Sequence, residues 1–332
     1  MYVIQNFSSQ YINKINPFEK LIWLIGLIHY KTLGYTTKLY CNSEDIKFLK
    51  DNNLFNYYDE IDTTTLSECD WLNNVNQDAF WFFRKIIAIE KEFELNHDFF
   101  YSDTDIILNE TPDFSDCDIY TWTLENVKNP KVDGVYCDWS KLSTPEGYQL
   151  PEYLKNTDSC NYNCGILYIK NKEIFHYWKK EMLDFARNNP CKTYDLAEGN
   201  CFFACNCEQR ILTGIVKEKN LKAKILDENP ESNGIGPKGV HFFQWRHSWR
   251  MAKKREEQGE KEGPIAKQKA IIDNWTLIFA LKDFIKDFLN RLLMWEHFDE
   301  YAFFMNNPEV YKLLQLDAIY EIAINWYSKE AK

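Results

Sequence analysis

The sequence lacks the features that would place the protein in a membrane or on nucleic acid. No apolar run reaches about 18 residues, and the nearest stretches, 21–28 and 274–294, are too short or are interrupted by charged side chains. We therefore predict no transmembrane segment. The net charge of −11 leaves no basic excess for a phosphate backbone, so no nucleic-acid partner is expected.

Signals for export and for a zinc site are also lacking. The first residues, Met1–Ile4, show neither a basic start nor a long apolar stretch, so we expect a cytoplasmic protein with reduced thiols. Three of the ten cysteines, Cys201, Cys205 and Cys207, lie close together but form no Cys-x-x-Cys pair. Ordinary thiols are therefore the default interpretation.

What the sequence does contain is ample material for a core. It has 332 residues, of which 45 % are hydrophobic and 16 % aromatic. Much of the aromatic content must be core, although Trp and Tyr rings also stack against sugar rings. The composition indicates a globular protein with one large domain or two small ones.

Strand and helix patterns alternate along the first third of the chain. Strands are predicted at Tyr2–Gln5, Thr37–Cys41 and Asp59–Asp62, and helices at 17–33, 43–52 and 81–94. This alternation favours an α/β fold with a mostly parallel sheet flanked by helices. After Gly263 the pattern is helical. We predict a domain over 1–255 and a helical C-terminal extension over 256–332, with a possible homodimer through those helices.

One stretch carries the strongest chemical signal. Phe99–Tyr101 reads as a buried strand, and Asp103 and Asp105 follow where that strand should end. On extended backbone, two carboxylates one residue apart point the same way. Two hard oxygen ligands at the carboxyl end of a strand suit Mg²⁺ or Mn²⁺ together with a nucleotide phosphate. A second Asp-x-Asp, Asp116–Asp118, precedes the apolar stretch Ile119–Trp122 and is predicted to start a strand, with Asp116 in the turn.

Further polar residues follow in an order that extends this interpretation. Arg84 and Lys85 lie on the helix that precedes the strand, and either cation could reach phosphates. Residues 161–165 are predicted as a polar turn that leads into the strand Ile166–Ile169. His241 offers an imidazole that can join oxygen ligands on Mn²⁺, and basic residues follow it.

In this order the motifs resemble the GT-A (Rossmann-like) nucleotide-sugar glycosyltransferases, nearest to the glycogenin-like and galactosyltransferase-like group. The motifs are Arg84-Lys85, Asp103-Thr104-Asp105, Asn163-Cys164-Gly165, Glu208-Gln209 and His241. The resemblance covers about residues 1–255. It implies a metal-dependent enzyme that moves a hexose from a nucleotide sugar, UDP-hexose being expected, to a carbohydrate or other hydroxyl acceptor.

The resemblance also implies roles for individual residues. The metal ligands for Mn²⁺ (or Mg²⁺) would be Asp103, Asp105 and His241. The donor would be contacted by Arg84, Lys85, Asp103, Asn163 and Gly165. The catalytic candidates near the acceptor would be Glu208, Gln209 and Glu198, with Glu198 or Glu208 as the base if the enzyme inverts. Gln244 stands where the family has Gly, and no Asp follows Gln209, so retention and inversion both stay open.

Two other classes of protein remain alternatives. An Asp-x-Asp after an apolar strand also resembles the haloacid-dehalogenase phosphatases, in which the first Asp is the nucleophile. That family has Gly-Thr after the second Asp, whereas Ile106-Ile107 follows here, and its motif usually lies near the N-terminus. The third class is a sugar-binding or scaffold protein that keeps the fold without turnover.

Overall fold

A computed structural model describes residues 1–8, 17–52, 54–72, 75, 82–126, 144–155, 160–189, 205–228, 235–236 and 238–241. The chain divides into two compact units, one of Met1–Lys14 and Ile22–His241, the other of Ile15–Leu21 and Phe242–Lys332. The elements below belong to the first unit, apart from residues 17–21 at the start of the first helix. Glu198, the predicted boundary between residues 255 and 256, and the predicted C-terminal helices lie outside the described residues.

The described residues contain ten strands. They are β1 Tyr2–Asn6, β2 Thr36–Tyr40, β3 Glu60–Asp62, β4 Phe99–Ser102, β5 Ile106–Leu108, β6 Ile119–Asn126, β7 Cys160–Ile169, β8 Ala223–Asp227, β9 Ile235–Gly236 and β10 Gly239–His241. Seven of them form one sheet in the order β3-β2-β1-β4-β7-β6-β8, and β5, β10 and β9 form a second, small sheet. In the large sheet β7 is antiparallel to both neighbours, and the other adjacent pairs are parallel.

Helices connect and cover these strands. They are α1 Pro17–Thr32, α2 Asp45–Asp51, α3 Phe83–Leu95, α4 Glu152–Lys155, α5 Lys172–Asn188 and α6 Ile211–Glu218, and a π-helical turn, Asn206–Arg210, leads directly into α6. The predicted α/β class with a mostly parallel, helix-flanked sheet is thereby confirmed. Within the described residues no helix has the length and apolar character needed to cross a bilayer.

Both faces of the sheet are buried, which explains why its central strands read as continuous apolar runs. On β4, Phe99 and Tyr101 pack into the core with α3, α5 and α6, whereas Phe100 between them packs into the core with α1 and β5. Because side chains alternate between the two faces of a strand, β4 contributes residues to two separate cores. Burying these aromatic side chains stabilises the frame that carries Asp103 and Asp105.

A buried ionic cluster joins α3 to the neighbouring strands. Glu92 of α3 is fully buried, and its carboxylate contacts Lys38 Nζ at 2.8 Å and His97 Nδ1 at 2.6 Å. The Tyr40 hydroxyl also donates to it. A buried carboxylate is tolerated only with such partners, so this cluster fixes α3 against β2.

The chain after β3 is held by a side-chain turn. The Asp62 carboxylate accepts hydrogen bonds from the backbone N–H groups of Thr64 and Thr65, both at 2.9 Å, and from the Thr65 hydroxyl at 2.7 Å. Burial raises the pKa of Asp62, but these hydrogen bonds outweigh burial and leave that pKa below its ordinary value.

One secondary-structure prediction near the site is wrong. Residues 161–165 were expected to form a polar turn, but they lie inside β7, which begins at Cys160. Asn163 pairs with Thr123 of β6, and its side chain satisfies polar partners on the sheet face. Asparagine is rare in strands because it competes for backbone hydrogen bonds, and here its side chain accepts one such bond while remaining in the ladder.

Candidate functional site

The two aspartates lie where β4 ends, at the carboxyl edge of the parallel strands. The chain does not stay extended there, as the sequence had suggested, but turns over residues 103–105 before β5 begins. The Asp103 N–H donates to Gly165 O at 2.7 Å, and the Ile106 N–H closes the turn on Asp103 O at 3.4 Å. The turn, not strand alternation, brings the two carboxylates together.

His241 completes a cluster with the aspartates. Its strand, β10, runs antiparallel to β5 and pairs His241 with Ile106, the residue after Asp105. The imidazole Nε2 lies 3.6 Å from Asp105 Oδ1, and one ligand atom from each of Asp103, Asp105 and His241 lies within 4.8 Å of the others. His241 and Asp105 are 5 % and 8 % exposed.

Close packing fixes the imidazole. The Trp122 ring meets it edge-on, with ring centroids 5.4 Å apart. Gly165 also leaves room for the imidazole, because a Cβ at that position would lie 2.7 Å from His241 Cε1 and 2.9 Å from Ile106 Cδ1. A side chain at position 165 would therefore push the imidazole away. The packing around His241 explains why position 165 is a glycine.

The donor set fits a divalent cation. Two carboxylates and one imidazole provide hard oxygen ligands with one nitrogen, a set that suits Mn²⁺ and, less well, Mg²⁺. Such ions keep water or substrate phosphate in their remaining positions. Asp103, Asp105 and His241 are the residues that would hold the ion.

Lys85 lies beside this cluster and is almost completely buried. Its ammonium donates to Glu208 Oε1 at 2.6 Å and to Cys164 O at 2.9 Å, and it lies 3.5 Å from Asp103 Oδ1. Burial lowers the pKa of Lys85, but Asp103 and Glu208 outweigh it and leave that pKa above its ordinary value. Lys85 is thus a fixed positive charge between two carboxylates.

Glu208 is the second partner of this cation. It lies in the π-helical turn before α6, and its backbone carbonyl accepts a hydrogen bond from Trp178 Nε1 at 3.1 Å. Burial raises the pKa of Glu208 and Lys85 lowers it. The net result is a pKa above the ordinary value for a glutamate. π-Helical turns occur often at functional sites, and this one presents a buried carboxylate to Lys85.

A second set of polar contacts holds the backbone and side chain of Asp103. Gln5 Nε2 donates to Asp103 O at 3.2 Å. Gln5 Oε1 in turn accepts hydrogen bonds from the Tyr58 hydroxyl and from Trp23 Nε1. The Tyr101 hydroxyl donates to Asp103 Oδ1 at 3.0 Å. Sequence reasoning missed these residues, since Tyr101 read only as part of an apolar strand.

Asn163, Arg84 and Gln209 were also predicted as site residues. Asn163 lies on the sheet face next to Gly165, accepts the Gly165 N–H at 2.9 Å and donates to Glu125 Oε1 at 2.9 Å. Arg84 and Gln209 are half-buried neighbours of Lys85 and Glu208 in sequence. The second Asp-x-Asp is not part of the cluster of Asp103, Asp105 and His241. Asp116 lies in the turn before β6, as predicted, and its φ is 52°.

Comparison with protein-family models and with curated protein sequences gives no match for this chain. The proposed class therefore rests on the site and on the order of the sequence motifs.

Proposed function

We propose that the protein is a metal-dependent glycosyltransferase that moves a hexose from a nucleotide-sugar donor, UDP-hexose being favoured, to a hydroxyl acceptor on a glycan or another molecule. One observation carries the proposal: an Asp-x-Asp at the carboxyl edge of a parallel sheet meets a late histidine, with ligand atoms within 4.8 Å. In open α/β sheets that edge is where nucleotides bind. The GT-A resemblance of the motif order supports the same assignment.

The proposed hexosyl transfer requires stabilisation of a leaving group. The bond between the anomeric carbon and a diphosphate oxygen breaks, and a bond from the acceptor oxygen to that carbon forms. A cation held by Asp103, Asp105 and His241 would neutralise the departing nucleoside diphosphate. Lys85 contributes a permanent positive charge at Asp103, and the burial around it limits screening by water.

The fate of the acceptor proton divides the two stereochemical outcomes. An inverting enzyme needs a carboxylate base, and Glu208 and Glu198 are the candidates from the sequence. Glu208 is 5 % exposed and ion-paired to Lys85, so taking up a proton would cost it that pair. A retaining enzyme needs no dedicated base, and the ion pair would then serve to hold Lys85 beside Asp103.

The experiment is a donor panel. The protein is incubated with UDP-, GDP- and ADP-hexoses and with UDP-N-acetylhexosamines, in Mn²⁺ or in chelator, and released nucleoside diphosphate is measured. We expect release from one donor, dependent on the metal and abolished by Asp105→Ala. Asp113→Ala, a change at an exposed surface aspartate, is the matched control and should keep wild-type release.

Three results would redirect the proposal. Absence of release from every donor, together with absence of thermal stabilisation by any donor, would remove the transferase assignment. Release of inorganic phosphate from phosphate esters, with Asp103 becoming phosphorylated, would instead establish the phosphatase alternative. Donor-induced stabilisation without turnover on any acceptor would favour a sugar-binding scaffold.

A further inference from the structure

The Asp103 side chain is held by two neighbours that act on the same oxygen. Tyr101 donates its hydroxyl proton to Oδ1 at 3.0 Å, and the Lys85 ammonium lies 3.5 Å from that atom. The Asp103 side chain is 25 % exposed, so it is less enclosed than Asp105 and would otherwise choose among rotamers. A carboxylate fixed through one oxygen presents the other in one direction.

Tyr101 is well placed to act as the fixed point. It is 3 % exposed, it lies on the central strand β4 two residues before Asp103, and the Lys85 ammonium sits 4.6 Å from its ring centroid. Its hydroxyl also donates to Asn6 Oδ1 at the end of β1, at the shorter distance of 2.6 Å. A phenol has one proton, so Asn6 and Asp103 share one donor.

We propose that Tyr101 is a positioning residue of the metal centre: its hydroxyl holds Asp103 Oδ1 and so fixes the orientation in which this carboxylate would meet a cation. The inference rests on the metal site of the proposed function. Groups that orient a ligand carboxylate tune affinity although they never touch the ion. Tyr101 therefore contributes to metal binding through Asp103, and Lys85 supports the same orientation by charge.

The test compares two phenol-to-phenyl changes. Tyr101→Phe and Tyr40→Phe each remove a hydroxyl that donates to a carboxylate, Asp103 in one case and the fully buried Glu92 in the other. Binding of Mn²⁺ to the chain of 332 residues is measured from the electron paramagnetic resonance signal of free Mn²⁺. Unfolding in urea is measured on the same samples, so that loss of stability and loss of affinity are separated.

We expect Tyr101→Phe to bind Mn²⁺ about tenfold more weakly than the wild type. Tyr40→Phe should lose stability and keep its Mn²⁺ affinity within about twofold, because its partner shares no contact with the cluster. Equal affinity in Tyr101→Phe and the wild type would overturn the inference and leave the proposed function standing. A wild-type chain that binds no Mn²⁺ would overturn both.

A second variant covers the case in which Tyr101→Phe does not fold. Asn6→Ala removes the competing acceptor, so the Tyr101 proton belongs to Asp103 alone. Mn²⁺ affinity should then rise above that of the wild type. Affinity equal to that of the wild type, or lower, would contradict the role assigned to the hydroxyl.

Discussion

Replacing Lys85 by Met tests the electrostatic core of the site. Met has a similar length and shape but carries no charge and no donor. The change would leave the Glu208 carboxylate buried without its cation and Cys164 O without its hydrogen bond at 2.9 Å. Breaking a buried pair from one side costs about 3–5 kcal/mol, because the remaining charge is uncompensated.

The loss of stability caused by Lys85→Met should depend on pH in a definite direction. In Lys85→Met, burial and Asp103 both still raise the pKa of Glu208, while the lowering influence of Lys85 is gone. A carboxyl whose folded pKa lies above its unfolded value destabilises the fold as pH rises through that range. The deficit of the variant should therefore be smaller at pH 5 than at pH 8.

Urea unfolding followed by tryptophan fluorescence measures these free energies. Glu208→Gln is the partner variant, and Lys85→Met/Glu208→Gln completes a double-mutant cycle. The double variant should be less destabilised than the sum of the two single variants by about 1–3 kcal/mol, because it holds no unpaired buried charge. Additivity within about 0.5 kcal/mol would refute the claim that the two side chains form one buried unit.

Three further changes test other parts of the structure. Glu92→Gln removes the charge of the buried cluster on α3 and should lower the free energy of unfolding by about 3 kcal/mol, whereas the exposed Glu94→Gln should have little effect; urea unfolding compares them. Asp62→Ala should lower the free energy of unfolding by about 1 kcal/mol at pH 7. The difference in stability from the wild type should vanish as pH falls below the lowered pKa of Asp62. Thermal melts from pH 7 to pH 2 would show this. Gly165→Ala should weaken Mn²⁺ binding by about tenfold by displacing His241 while the fold survives, and calorimetric titration that finds unchanged affinity would contradict the packing argument.

The fold class could be predicted because its signals are local. Alternating strand and helix patterns over residues 1–100 define parallel strands with covering helices, and the end of β4 falls directly before Asp103. Each of these features depends on periodicity within about ten residues of sequence. The same reasoning places Asp116 in a turn, and its left-handed backbone agrees.

Local patterns failed where contacts are long-range. The asparagines of 161–165 indicated a turn, yet pairing with β6 keeps them in β7, since a neighbouring strand outweighs intrinsic preference. The ion pair of Lys85 with Glu208 joins residues 123 apart, and nothing in either segment alone predicts it. Tyr101 went unnoticed for a related reason: an aromatic residue in an apolar strand gives no sign that its hydroxyl reaches a carboxylate.

The most direct test of the metal-dependent function is Mn²⁺ binding in the presence of UDP. Free Mn²⁺ is measured during titration of the wild type, Asp105→Ala and the surface control Asp113→Ala. The wild type and the control should each bind one Mn²⁺ per chain, more tightly with UDP than without, and Asp105→Ala should bind none. A wild-type chain that binds no Mn²⁺ with or without UDP, or an Asp105→Ala chain that binds it normally, would contradict the assignment.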